Sequence, residues 1–86
     1  MDYNKLTEQE QLEAVKECGW TIQFIKNPSE AFQLEAVKQD GLAIKHIKNP
    51  SEAVAKQAIS NNKEAILFVV EQYPELKQYH NMLWEI

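Results

Sequence analysis

The sequence predicts an all-α protein: a short helical-repeat solenoid of about three and a half units, closed by a C-terminal capping helix. Three observations carry that expectation. Leu12–Gln33 and Leu34–Ala55 align without a gap and are identical at 14 of 22 positions. Within each copy, Asn-Pro-Ser-Glu marks a helix start and a single glycine marks a helix end. Apolar residues recur at helical rather than alternating spacing. A period of this length reads as stacked supersecondary units, none of which can bury its apolar face alone.

Taken in order, residues 1–11 form an N-terminal cap, with Thr7 and Glu10 spaced for a capping box at the first helix. That helix is expected to end at Gly19. Trp20–Lys26 then carries Ile22 and Ile25 three residues apart, which suits a short α or 3-10 helix with one inward face. A strand is the alternative for so isoleucine-rich a segment, but its inward residues would lie two apart. Asn27 is expected as the next N-cap, with Pro28 at the first helical position and Glu30 completing a capping box. This helix runs from Pro28 to about Gln39 and stops at Gly41, which is expected to take the left-handed conformation. The pattern repeats with Leu42–Lys48, then Asn49, Pro50 and Glu52, and a helix from Pro50 to about Ser60, where Asn61 and Asn62 replace the glycine.

A degenerate third unit spans residues 56–73. Its second half, Lys63–Tyr73, lacks the Asn-Pro stop and is expected to be a longer helix. Pro74 opens the last helix, Glu75–Trp84, inside a C-terminal cap of residues 74–86. One domain is expected, with Leu12, Val15, Ile22, Ile25, Leu34, Val37, Ile44, Ile47, Ile59, Ile66 and Val69 in one core.

The pattern Ala36-Val37-Lys38, Gly41, Ala43-Ile44, Ile47-Lys48-Asn49-Pro50-Ser51-Glu52 resembles a tandem-repeat domain of unknown function found in bacterial and bacteriophage proteins. The resemblance covers Leu12–Ala55 closely and Lys56–Val69 loosely; Glu71–Ile86 departs from it. It implies an α-helical repeat fold and a phage or prophage source, and it brings no catalytic residues. A phage source in turn implies an inhibitor of host machinery, such as a CRISPR-type defence complex.

Composition points to a globular protein of the cytoplasm, the host cytoplasm if phage-encoded. Cys18 stands alone, and the longest apolar run, Ala65–Val70, is too short for a bilayer. The net charge of −4 gives no general attraction to nucleic acid. Cys18, His46 and His80 lack the close spacing of zinc ligands. Cys18 falls at a helix C-terminus, where the dipole disfavours a thiolate. Ser29 and Ser51 recur at helix starts, where capping accounts for them, and two isolated glycines make no phosphate loop. No enzyme is expected, and no cofactor or metal.

What remains is binding surface. Positions that differ between copies are free for function, and the group Trp20, Phe24 and His46 stands out. Phe24, His46 and Phe68 share one register and are expected to form a column, with Trp20 a turn away; such aromatic residues anchor protein partners, though aromatic residues at helical spacing are more often core, and packing against the N-terminal helix accounts for Trp20 and Phe24. Lys16/Lys38 and Lys26/Lys48 form short basic ladders, with Lys45 near the second. They either solvate the surface or follow a phosphate backbone. The tail Tyr79–Ile86, with Trp84, either caps the stack or docks a second copy. A non-enzymatic protein-interaction module that binds a larger protein through Trp20, Phe24, Lys45, His46, Lys48 and Trp84 leads. A nucleic-acid-associated module using Lys26, Lys45 and Lys48, or a structural homo-oligomer, stands behind it.

Overall fold

The computed structural model describes residues 2–84 and, among these, is helical throughout, without strands. Four α-helices are α1 (Glu8–Glu17), α2 (Glu30–Gln39), α3 (Glu52–Asn61) and α4 (Leu76–Trp84). Four 3-10 helices are η1 (Tyr3–Lys5), η2 (Gly19–Phe24), η3 (Gly41–His46) and η4 (Lys63–Phe68). The first three α-helices start 22 residues apart, and so do η2, η3 and η4. Successive α-helices pack on each other, as do η2, η3 and η4 in series, while α4 closes against α3 and η4.

The helix starts follow local chemistry. At α1, Glu10 N–H donates to Thr7 Oγ1 at 3.1 Å and Thr7 N–H donates to Glu10 Oε1 at 3.0 Å, forming the expected capping box. The Thr7 backbone amide, and then its hydroxyl, hold the Glu10 carboxyl below its ordinary value. A depressed folded-state value adds stability above the unfolded value, and that increment disappears as pH falls through the folded one. Thermal melts taken from neutral pH into the carboxylate range should therefore show an acid-dependent loss that is smaller in Glu10→Gln.

The caps of α2 and α3 correct the sequence reading. Ser29 and Ser51, not Asn27 and Asn49, are the N-caps, accepting from Phe32 N–H and Val54 N–H at 3.3 Å each. Asn27 and Asn49 instead turn the chain with φ of 49°, a left-handed conformation that asparagine tolerates better than other side-chain-bearing residues. Pro28 and Pro50 thus precede the caps, and Glu30 and Glu52 sit at the first helical position, where a carboxylate favours the dipole.

The glycines also differ from expectation. Neither has positive φ. The helices end through extended C-caps, Cys18 at φ −148° and Asp40 at φ −152°. What requires glycine is close approach: a Cβ on Gly19 would collide with the carbonyl oxygen of Ala36, and one on Gly41 with that of Ala58. Each glycine therefore lets the start of a 3-10 helix lie against the α-helix of the next unit. Lys63 occupies the same register in η4.

The first residue after each C-cap starts a 3-10 turn. Thr21, Ala43 and Ala65 N–H donate back to the Cys18, Asp40 and Asn62 carbonyls. Asp40 and Asn62 also cap these turns with their side chains, accepting from Leu42 and Glu64 N–H at 2.9 Å. Cys18 makes no such bond. Cys18→Asn should install it and raise stability by about 0.5–1 kcal/mol in urea unfolding. No gain would show that the amide cannot adopt the Asn62 geometry there.

The third short element is not the longer helix read from the sequence. η4 ends at Phe68, like its counterparts in length, and residues 69–72 form turns. Val70 N–H reaches Ile66 O and Tyr73 N–H reaches Val69 O, so the chain closes isolated turns without continuing a helix. Tyr73 then donates its hydroxyl to Pro50 O at 3.0 Å. Gln33 serves Pro28 O at 3.0 Å in the preceding unit, and Ala55, in the Gln33 register, cannot.

The core holds eight of the expected residues: Val15, Ile22, Ile25, Val37, Ile44, Ile47, Ile59 and Val69. Leu12, Leu34 and Ile66 are half-buried against it. Alanines at 36, 43, 55, 58 and 65 are fully buried, and their small side chains permit tight helix packing. Phe32, Val54 and Leu76 complete the interior.

Candidate interaction surface

Trp20 lies in the first turn of η2 and reaches across to the following unit. Its indole N–H donates to Asp40 Oδ2 at 2.6 Å. Its ring meets His46 edge-to-face, with centroids 4.9 Å apart at 65°. Lys45 Nζ sits 4.0 Å from the ring centroid, a cation–π contact. Trp20, Lys45 and His46 are therefore one cluster, with Asp40 as a fourth member that the sequence reading did not assign to it. Asp40 joins two jobs there, because its other carboxylate oxygen caps η3.

Phe24 is not part of that cluster. It stacks on Tyr3, centroids 5.7 Å apart and planes 16° apart, and remains 54% exposed. Asn4 fastens the same segment: its Nδ2 donates to Phe24 O at 3.1 Å, and its Oδ1 accepts from Lys26 N–H at 2.8 Å. Beside this segment runs an open groove of about 670 Å³, bordered by Asn4, Phe24, Lys26, Gln33, His46 and Lys48. His46 Nε2 is buried without a hydrogen-bond partner among the described residues. Lys48 thus joins Phe24 and His46 at the groove, whereas Lys45 is turned toward Trp20.

Trp84 belongs to the other end of the molecule. Its indole N–H donates to Ile59 O at 2.9 Å, so part of its role is to fasten α4. It borders a smaller groove of about 290 Å³ with Ile66, Leu67 and His80. Leu67 is 72% exposed, the adjacent Phe68 50%, and Met82 68%. Leu67 was missed by sequence reasoning because it lies inside an apolar run, between Ile66, expected in the core, and Phe68, expected in the aromatic column. Tyr79 bonds Ser60 at 2.9 Å and holds α4 on α3. Ile86, also expected at this end, lies outside the described residues.

Of the lysine ladders, Lys26 and Lys48 both face the larger groove. Among the described residues, no group of three or more His, Cys, Asp or Glu side chains converges as metal ligands would. No helix among them is long and apolar enough to cross a membrane. No protein-family model matches the chain, and no curated protein or solved structure is significantly similar to it.

Proposed function

We propose that the chain is a short α/3-10 solenoid acting as a non-enzymatic protein-interaction module. Three features support the solenoid: the common 22-residue offset of both helix series, the α-on-α and 3-10-on-3-10 packing, and an elongated form of 43 × 21 × 17 Å. The resemblance to phage repeats extends the reading to a phage-encoded inhibitor of a host protein, such as a CRISPR-type complex, working by steric or competitive binding.

The observation that carries the interaction reading is apolar exposure at the 3-10 helices. Leu67, Phe68 and Phe24 are half-exposed or more, and Leu67 shares its groove with the partly exposed Trp84. Adjacent exposed apolar side chains that border a groove are the kind of surface a partner covers. Lys48 and His46 border the second groove and would give that contact a polar edge.

The test uses variants that spare the fold. Trp20 and Trp84 are poor choices, since each makes a buried-side hydrogen bond that holds two elements together. Leu67→Ser with Phe68→Ser, and separately Phe24→Ser, should keep the far-ultraviolet circular dichroism of the parent. Capture of a stoichiometric protein partner from host lysate should fall at least about tenfold in one of them. Capture by both variants at the level of the parent removes these surfaces from the reading. A mass that rises with protein concentration, without a foreign partner, would favour the homo-oligomer instead.

A further inference from the structure

Asn4 shows how this fold holds a carboxamide. The Ile25 backbone is extended at φ −100°, ψ 124°. The carbonyl before it and the amide after it, Phe24 O and Lys26 N–H, are both taken by one Asn4 side chain. A primary carboxamide offers one donor and one acceptor side by side and so matches such a pair.

The next unit presents the same pair. Ile47 is extended at φ −107°, ψ 121°. Among the described residues, His46 O and Lys48 N–H make no hydrogen bond. The residue in the Asn4 register is now Lys26, 22 positions on. An ammonium group has no acceptor to offer the Lys48 amide. Both sides of this gap, Lys26 on one and His46 and Lys48 on the other, border the larger groove. The third unit has lost the pair: Val69 has ψ −8°, and Val70 N–H is committed to Ile66 O. Among the described residues, the middle unit alone combines an extended segment, an open pair and a groove beside it.

We propose that this groove takes an asparagine side chain from an acidic segment of a partner protein, with the carboxamide bridging His46 O and Lys48 N–H as Asn4 bridges Phe24 O and Lys26 N–H. The flanking charge argues for acidity, because Lys26 and Lys48 border the groove and no aspartate or glutamate does. The half-exposed Phe24 ring supplies an apolar wall. This inference deepens the interaction-module reading and rests on it.

The probe is the capped pentapeptide acetyl-Glu-Glu-Asn-Glu-Glu-amide, titrated into the full chain labelled with nitrogen-15. The Lys48 amide resonance is expected to shift, and replacing the peptide's asparagine by alanine should weaken binding about tenfold or more. Flanking the asparagine with lysines should weaken it as well. Equal binding of the asparagine and alanine peptides overturns the proposal, and so does a shift map that leaves residues 46–48 untouched. Lys26→Asn supplies an independent arm: its own carboxamide should fill the pair, slow hydrogen exchange at Lys48 about tenfold, and abolish peptide binding. Unchanged exchange together with undiminished peptide binding in that variant counts against the register argument. Capture of a native partner equally well by parent and Lys26→Asn would sink this inference while leaving the interaction module standing. Absence of any partner in captures with the parent chain would instead remove the wider reading.

Discussion

Gly41→Ala is expected to unfold the protein or bring it to the edge of unfolding, with a loss of about 3 kcal/mol or more. The added Cβ meets the carbonyl oxygen of Ala58, a backbone atom in the last turn of α3 that is held by the Asn62 N–H and cannot rotate aside. It would also crowd Asn61, whose Oδ1 accepts the Gly41 N–H and whose Nδ2 donates to Lys38 O. Relief requires α3 to move away from η3, which opens the packing of Ala43, Ile44, Ala58 and Ile59. A domain of this size holds about 4–13 kcal/mol in total, so the loss would be a large fraction of it. The paired control is Lys63→Gly in the same register, where flexibility alone should cost about 0.5–1 kcal/mol. Urea titration of both variants measures the contrast. A Gly41→Ala chain as stable as the parent would mean that the two units are not pressed together as described.

The second large effect is expected at the isoleucine that recurs in each short helix. Ile44 is 2% exposed between the neighbouring units. Ile44→Ala should cost about 2–5 kcal/mol, because the surrounding helices are held on both sides and cannot collapse into the cavity. Ile22 is equally buried, but Ile66 is only half-buried at the end of the series. The cost of truncation should therefore be similar at 22 and 44 and clearly smaller at 66. Three equal losses in denaturant unfolding would contradict this gradient.

Much of the architecture was legible because its cause is local or periodic. Ile22, Ile25, Ile44 and Ile47 lie at a spacing that only one helical face can bury, and Thr7 with Glu10 is a cap whose partners are three residues apart. The misreadings arose where a residue has two physically sound uses. Asn27 and Ser29 can each cap a helix; the chain reversal between η2 and α2 claims the asparagine, so the serine caps. Gly41 can end a helix or admit a neighbour, and only the position of Ala58 decides between them. Phe68-Val69-Val70 reads as helix continuation, yet η4 stops at the same length as the 3-10 helices it follows. The candidate surface was less legible because shared register does not set side-chain direction. Phe24 and His46 are equivalent in the repeat, but one ring turns to Tyr3 and the other to Trp20. Asn4 could not be found from repeat spacing as read, since the copies were aligned from Leu12 onward.

Lys63 bears on how such a chain could lengthen. On the solenoid reading, a tandem copy of Leu34–Ala55 inserted after Ala55 would bring its own glycine, and each joint would still place glycine against an alanine carbonyl. A copy of the same segment added behind η4 would have to settle its α-helix against the lysine. Growth of the gene by unequal recombination would thus be tolerated between the glycine-bearing units and refused directly behind η4.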